Sequence, residues 1–167
     1  MFLLHARTLL LAGLAGLAVS AAQAASVKVS FVGADNYVDA GSSPAERDAN
    51  LAALASYLAD LGQRLLPADV VLEIEVLDVD LAGTVRPSRR GGDLRVVRGK
   101  ADWPRLTLRY SLLKDGQVLK TDTERIADMT YTMHSSYGDP SDPLRYEKRM
   151  LGDWFRARFV DDVATVR

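Results

Sequence analysis

The chain has 167 residues, 21 basic and 22 acidic, and no cysteine. It therefore has no disulfide framework, no thiolate nucleophile and no lipid attached through an N-terminal cysteine. A formal net charge of −1 gives no general attraction to nucleic acid, so none is expected as a partner.

Residues 1–24 read as a secretory signal peptide. Arg7 supplies a short basic region, Thr8 to Val19 is apolar, and Ala22-Gln23-Ala24 offers the small-x-small pattern of a cleavage site. An uncleaved anchor is the alternative, but a membrane helix wants about 20 strongly apolar residues, and Ser, Gln and Ala replace Leu in the second half of this span. Cleavage after Ala24 leaves residues 25–167, the size of a single domain, with no transmembrane segment and a periplasmic destination. Arg7 departs with the signal, so the mature chain holds 20 basic and 22 acidic residues, a net of −2.

Val27, Val29 and Phe31 alternate with Lys28 and Ser30, the period of a first strand. A turn-rich stretch, Gly33 to Ser42, follows it. Ser43-Pro44-Ala45-Glu46 joins a capping box to a proline at the first helical position, a helix start with two independent signals. Leu51, Leu54, Leu58, Leu61 and Leu65 then recur at three- and four-residue steps, one stripe on a helix that ends before Pro67.

Val70 to Leu81 reads as a second strand. Its acids pose a problem of faces, because Glu73 and Glu75 share one side while Asp78 and Asp80 fall on the other. A bulge near Val76 or Leu77 would return all of them to solvent. Gly83 to Trp103 has no sustained period and collects Gly, Pro and Arg, so a long loop is expected. Leu106, Leu108, Tyr110 and Leu112 mark a third strand, Asp115-Gly116 a tight hairpin, and Val118 to about Met129 a fourth strand. Thr130 to Ser141 is a second polar loop, closed by Asp142 as a helix cap with Pro143 just inside. Leu144, Met150, Leu151, Trp154, Phe155 and Phe159 mark the buried side of a final helix. The order β-α-β-β-β-α predicts an α+β fold, a four-stranded, mainly antiparallel sheet with both helices packed on one face.

The strings Leu72-Glu73-Ile74-Glu75-Val76-Leu77-Asp78-Val79-Asp80-Leu81-Ala82-Gly83 and Asp142-Pro143-Leu144-Arg145-Tyr146-Glu147-Lys148, with Asp153-Trp154-Phe155, are long enough to be specific. Together with Asn36-Tyr37, Asp39 and Ser43-Pro44 they resemble the bacterial domain of unknown function family numbered 3016, over nearly all of the mature chain. The resemblance implies an exported envelope protein of uncharacterised role, and it supplies no catalytic residue.

His5 leaves with the signal, so His134 is the one mature histidine, and any site needing two imidazoles is excluded. Ser135, Ser136, Asp139 and Asp142 stand near it, but neighbours in one loop rarely reach triad geometry and no Gly-x-Ser-x-Gly elbow exists. Glu73, Glu75, Asp78 and Asp80 offer oxygen ligands for a hard cation. As a calcium loop the pattern fails, since Ala82 stands where a third acid belongs and Arg89 where the closing glutamate belongs; a solvated strand face is the better reading. No metal and no cofactor is expected. Tyr131, Tyr137, Tyr146 and Trp154 read as packing before they read as a sugar or peptide groove.

The clearest binding candidate is the segment Thr84 to Lys100. It holds Arg86, Arg89, Arg90, Arg95, Arg98 and Lys100 against one acid, Asp93, a local net of +5 in a mature chain whose remainder is −7. Arginine forks suit phosphate and carboxylate, and an envelope presents lipid headgroups, lipopolysaccharide phosphates and acidic glycans. Arg145, Lys148, Arg149, Arg156 and Arg158 on the last helix could extend the patch. The competing reading is that the arginines pair with the acidic strand beside them. The expected function is a non-enzymatic binding or accessory module of the envelope, with an envelope protein, lipid headgroup or glycan as partner. The alternatives are a carboxylate- or His134-dependent hydrolase and a structural subunit of an envelope complex.

Overall fold

Ser43 starts the first helix as its sequence demands. Its Oγ accepts the Glu46 N–H at 3.2 Å, and the Glu46 carboxylate reaches back to the Ser42 N–H at 2.8 Å, one residue beyond the usual reciprocal partner. Helix α1 runs Pro44–Leu65 and buries Leu51, Leu54, Leu58 and Leu61, the expected stripe. The computed structural model describes residues 26–88, 93–99, 101–134 and 138–160; the signal expected over residues 1–24 lies outside them.

The main sheet contains β1 (Ser26–Phe31), β2 (Val70–Asp80), β5 (Arg105–Lys114) and β6 (Gln117–Ala127), in the order β1-β2-β5-β6. It is a mixed sheet. β5 pairs antiparallel with β2 and with β6, while β1 lies parallel to β2. The parallel pair follows from α1: its 22 residues span about 33 Å and carry the chain back past the whole of β1, so β2 restarts from the same end.

The bulge argued from the acid pattern is present. Val76 faces Leu108 and Asp78 faces Thr107, so Leu77 is the extra residue, and beyond it Val79 returns to the core. Inward residues of β2 and β5 join the stripe of α1 and the side chains Leu151, Trp154, Phe155 and Phe159 in one core on one face of the sheet. Helix α2 (Arg145–Phe155) continues into a π-helical turn, Arg156–Val160, and starts two residues after Pro143. Asp142 Oδ1 accepts the Leu144 N–H at 2.9 Å, which makes residues 142–144 a turn and delays the helix. Among the described residues no helix is long and apolar enough to cross a membrane.

The expected long loop from Gly83 to Trp103 is a correction. It contains a hairpin, β3 (Thr84–Pro87) paired antiparallel with β4 (Asp93–Val96), forming a second, two-stranded sheet. Strands of four residues are too short to show a period, and Pro87 with Gly91-Gly92 hides them further.

Helix α1 can lie close to β1 because Gly62 has no side chain. A Cβ there would stand 2.2 Å from Val27 Cγ2, a methyl on a stiff β-branched residue of β1. Gly62→Ala is expected to destabilise the fold by about 1–3 kcal/mol in urea unfolding, despite the better helix propensity of alanine. An unchanged midpoint would mean that the helix and strand are not seated against each other as described.

Candidate functional site

The acidic strand is accounted for by its neighbours. Glu73 takes Lys28 Nζ at 3.0 Å, Glu75 takes Arg109 Nε at 2.7 Å, and Asp80 takes Arg105 Nε at 2.8 Å, each from the residue directly opposite in the adjoining strand. Asp78 accepts the Val38 N–H at 3.0 Å. The three ion pairs are register-fixing cross-strand pairs, and no group of three or more metal-ligating side chains occurs among the described residues.

The arginines of the 84–100 segment divide in two. In the β3–β4 register Val85 faces Arg95, and Arg86 faces Leu94. Opposite residues share a face, so Arg95 lies on the inner side of the hairpin and Arg86 on the outer. Arg95 donates from Nη1 to Asp39 Oδ2 at 2.8 Å and from Nη2 to Asp39 Oδ1 at 3.1 Å, with Nη1 also 3.4 Å from the Ala82 carbonyl. Both side chains are largely shielded, 19% and 23% exposed. Burial opposes the Arg95 charge, but the Asp39 hydrogen bonds and field outweigh it and move the guanidinium pKa up. Arg86 and Arg98 are exposed; Arg89, Arg90 and Lys100 lie outside the described residues.

Asp39 is itself held by the end of β2. After the Gly33 turn and a short 3-10 turn (Ala34–Asn36), Tyr37 Oη donates to the Val76 carbonyl at 2.7 Å. The Asp39 N–H donates to Val79 O and the Leu81 N–H donates to Asp39 O, each at 2.9 Å. Asp39 thus extends the sheet by one parallel bridge to Asp80. The next residue, Ala82, gives its N–H to Glu147 Oε1 of α2 at 2.7 Å. Glu147 is 1% exposed, and its Oε2 has no hydrogen-bond partner among the described residues. Burial raises the Glu147 pKa, and the Ala82 N–H and the Arg95 charge only partly offset this.

The far end of the hairpin is tied down separately. The Asp102 carboxylate accepts the Arg98 N–H at 2.8 Å, the Gly99 N–H at 3.0 Å and the Tyr131 hydroxyl at 2.6 Å. Burial, followed by the hydrogen bond to Asp102, pushes the Tyr131 hydroxyl up to about 12. Tyr131 packs edge-on against Tyr146 at 4.8 Å, so these aromatics are packing residues; Trp154 joins the core, and Tyr137 lies outside the described residues. A cavity of about 190 Å³ beside Arg95 is lined by Glu46, Asn50, Val97 and Tyr146 among others.

The remaining candidates take no part in the Arg95–Asp39 fork. The 3-10 turn Tyr131–His134 ends at the histidine, and Ser135 and Ser136 lie outside the described residues. Asp139 accepts from the Ser141 N–H and hydroxyl, which lower its pKa, and Asp142 takes Lys148 Nζ at 2.6 Å. On the last helix Arg149 reaches Asp153 at 3.4 Å, Arg158 reaches Glu124 at 3.0 Å, and Arg145 covers the Tyr146 ring at 4.3 Å. Those cations are engaged locally; Arg149 and Arg158 line a mixed-charge groove of about 570 Å³ against β6, and Arg145 lines the cavity beside Arg95.

Sequence reasoning missed Glu147 and Asp39. The signal for Glu147 was present: it stands three residues after Leu144 and four before Leu151, inside the apolar stripe of α2. Glu147→Gln should remove a pH dependence of a stated sign. The folded-state pKa lies above the ordinary value, so the folded chain binds this proton more tightly, and wild-type stability falls as pH rises from about 4.5 through the raised value. The Gln variant should lack that fall in urea unfolding across the window; parallel wild-type and variant profiles would show that Glu147 is not buried in this way.

The strings that carried the resemblance converge here: Asn36 to Asp39, Asp78 to Gly83 and Tyr146 to Lys148 meet around Arg95 and Ala82. No curated protein and no solved structure matches the chain. A family description does match, over residues 25–157, which is most of the chain. The chain belongs to that family, described as protein of unknown function (DUF3016).

Proposed function

We propose that this chain is exported through its N-terminal signal and serves in the periplasm as a non-enzymatic accessory module of the cell envelope. In this reading it engages an anionic component through the segment from Thr84 to Lys100. The observation that carries the reading is the division of labour among the arginines. Arg95 is neutralised by Asp39 and fixes the hairpin, whereas Arg86 and Arg98 stand exposed on a segment that is basic overall. Arg89, Arg90 and Lys100 add charge to the same segment. A guanidinium held out on a fixed support loses less freedom when it pairs with phosphate than one on a mobile chain.

The test is retention of the mature protein on a phosphate-bearing matrix as salt rises, with the double variant Arg86→Ser/Arg98→Ser beside the wild type. The variant should elute at clearly lower salt, because exposed charges are screened beyond a Debye length of about 10 Å at 0.1 M. Equal elution of the two proteins would overturn the anion-binding reading. Both positions are exposed, so the variant is expected to keep the wild-type unfolding midpoint.

A further inference from the structure

The outer face of the β3–β4 hairpin carries more than charge. Arg86 faces Leu94 and Thr84 faces Val96, so these four residues share the side opposite Arg95. Leu94 is 58% exposed and Val96 36% exposed. Arg98 is also exposed, two residues beyond Val96 and held at its backbone by Asp102. A two-stranded ribbon whose inner side faces the body ordinarily turns polar residues outward, yet this one turns out leucine and valine between arginines. The face cannot fold back to bury them. Arg95 is locked to Asp39 on the inner side, and Gly99 and Asp102 anchor the end of the segment to Tyr131.

We propose that this face seats on the surface of an anionic phospholipid bilayer, with Leu94 and Val96 entering the headgroup layer and Arg86 and Arg98 pairing with phosphates. The inference rests on the anion-binding reading of the same segment and adds to it the occupant and the apolar half of the contact. Charge complementarity selects a bilayer over an apolar partner protein: a cation on the strand opposite Leu94 and another beyond Val96 match phosphodiesters lying above acyl chains. Met133 is 81% exposed in the turn whose Tyr131 holds the hairpin end, placing a further apolar side chain on a segment tied to that end.

Co-sedimentation of the mature protein with vesicles of phosphatidylglycerol and phosphatidylcholine tests this, with soluble polyphosphate as a second probe. Leu94→Ser/Val96→Ser should weaken vesicle binding about tenfold and leave polyphosphate binding unchanged, while Arg86→Ser/Arg98→Ser should weaken both. Wild-type binding to vesicles should also retain a fraction at high salt that the Leu94→Ser/Val96→Ser variant lacks. If that variant sediments with vesicles as the wild type does, and only the arginine variant is impaired, the bilayer proposal falls and the anion-binding reading stands. If the wild type binds neither probe, both fall. Circular dichroism of each variant confirms that the exposed substitutions leave the fold intact.

Discussion

The fork between Arg95 and Asp39 is the contact on which the arrangement of this molecule turns. A two-stranded hairpin of four-residue strands has too little apolar surface to hold itself against a larger domain. Here one guanidinium on its inner face reaches both carboxylate oxygens of Asp39 and the carbonyl of Ala82, joining the hairpin to the chain segment that extends β1 and to the end of β2. Ala82 is in turn held by Glu147 of α2. A largely shielded ion pair gains little net stability after desolvation, so its contribution is to orientation: it sets which side of the hairpin faces inward.

Once that side is set, the other follows. Glu73, Glu75 and Asp80 of β2 are matched with cations of β1 and β5, and Lys148, Arg149 and Arg158 at the last helix and its π-helical turn are matched with Asp142, Asp153 and Glu124. The hairpin's outer face is where basic and apolar side chains are presented together, on a support fixed at Asp39 and at Asp102. The same geometry explains why Glu147 is tolerated in the apolar stripe of α2. Its Oε1 satisfies an N–H that would otherwise be buried without a partner at the last turn of chain before the hairpin.

Much of the fold was legible because local rules and burial agreed. Ser43-Pro44 with Glu46 placed the start of α1, and Asp115-Gly116 placed the β5–β6 turn, with Asp115 at φ 51° and Gly116 at φ 77°. The acid pattern of β2 called for a bulge near Val76 or Leu77 through an argument about faces alone, and the register shift falls at Leu77. Pairing partners were less legible. The parallel β1–β2 pair depends on how far α1 carries the chain, and β3 and β4 are shorter than any periodicity can register. The site was half visible. Composition marked the 84–100 segment as basic, but nothing local separates Arg95 from Arg86, because the carboxylate that claims Arg95 lies 56 residues earlier in the chain.

The hairpin is fixed to the body at Asp39 and at Asp102 and opens only with it. Native-state hydrogen exchange tests this most directly, at the amides of Leu81, Ala82, Gly83 and Gly99, which donate respectively to Asp39, Glu147, Asp102 and the Asp102–Tyr131 pair. These amides should exchange only through the same global opening that exposes the core amides of β2 and β5, with equal free energies and equal denaturant dependence. Exchange at the rate of an unstructured peptide at these positions, while β2 and β5 remain protected, would contradict it.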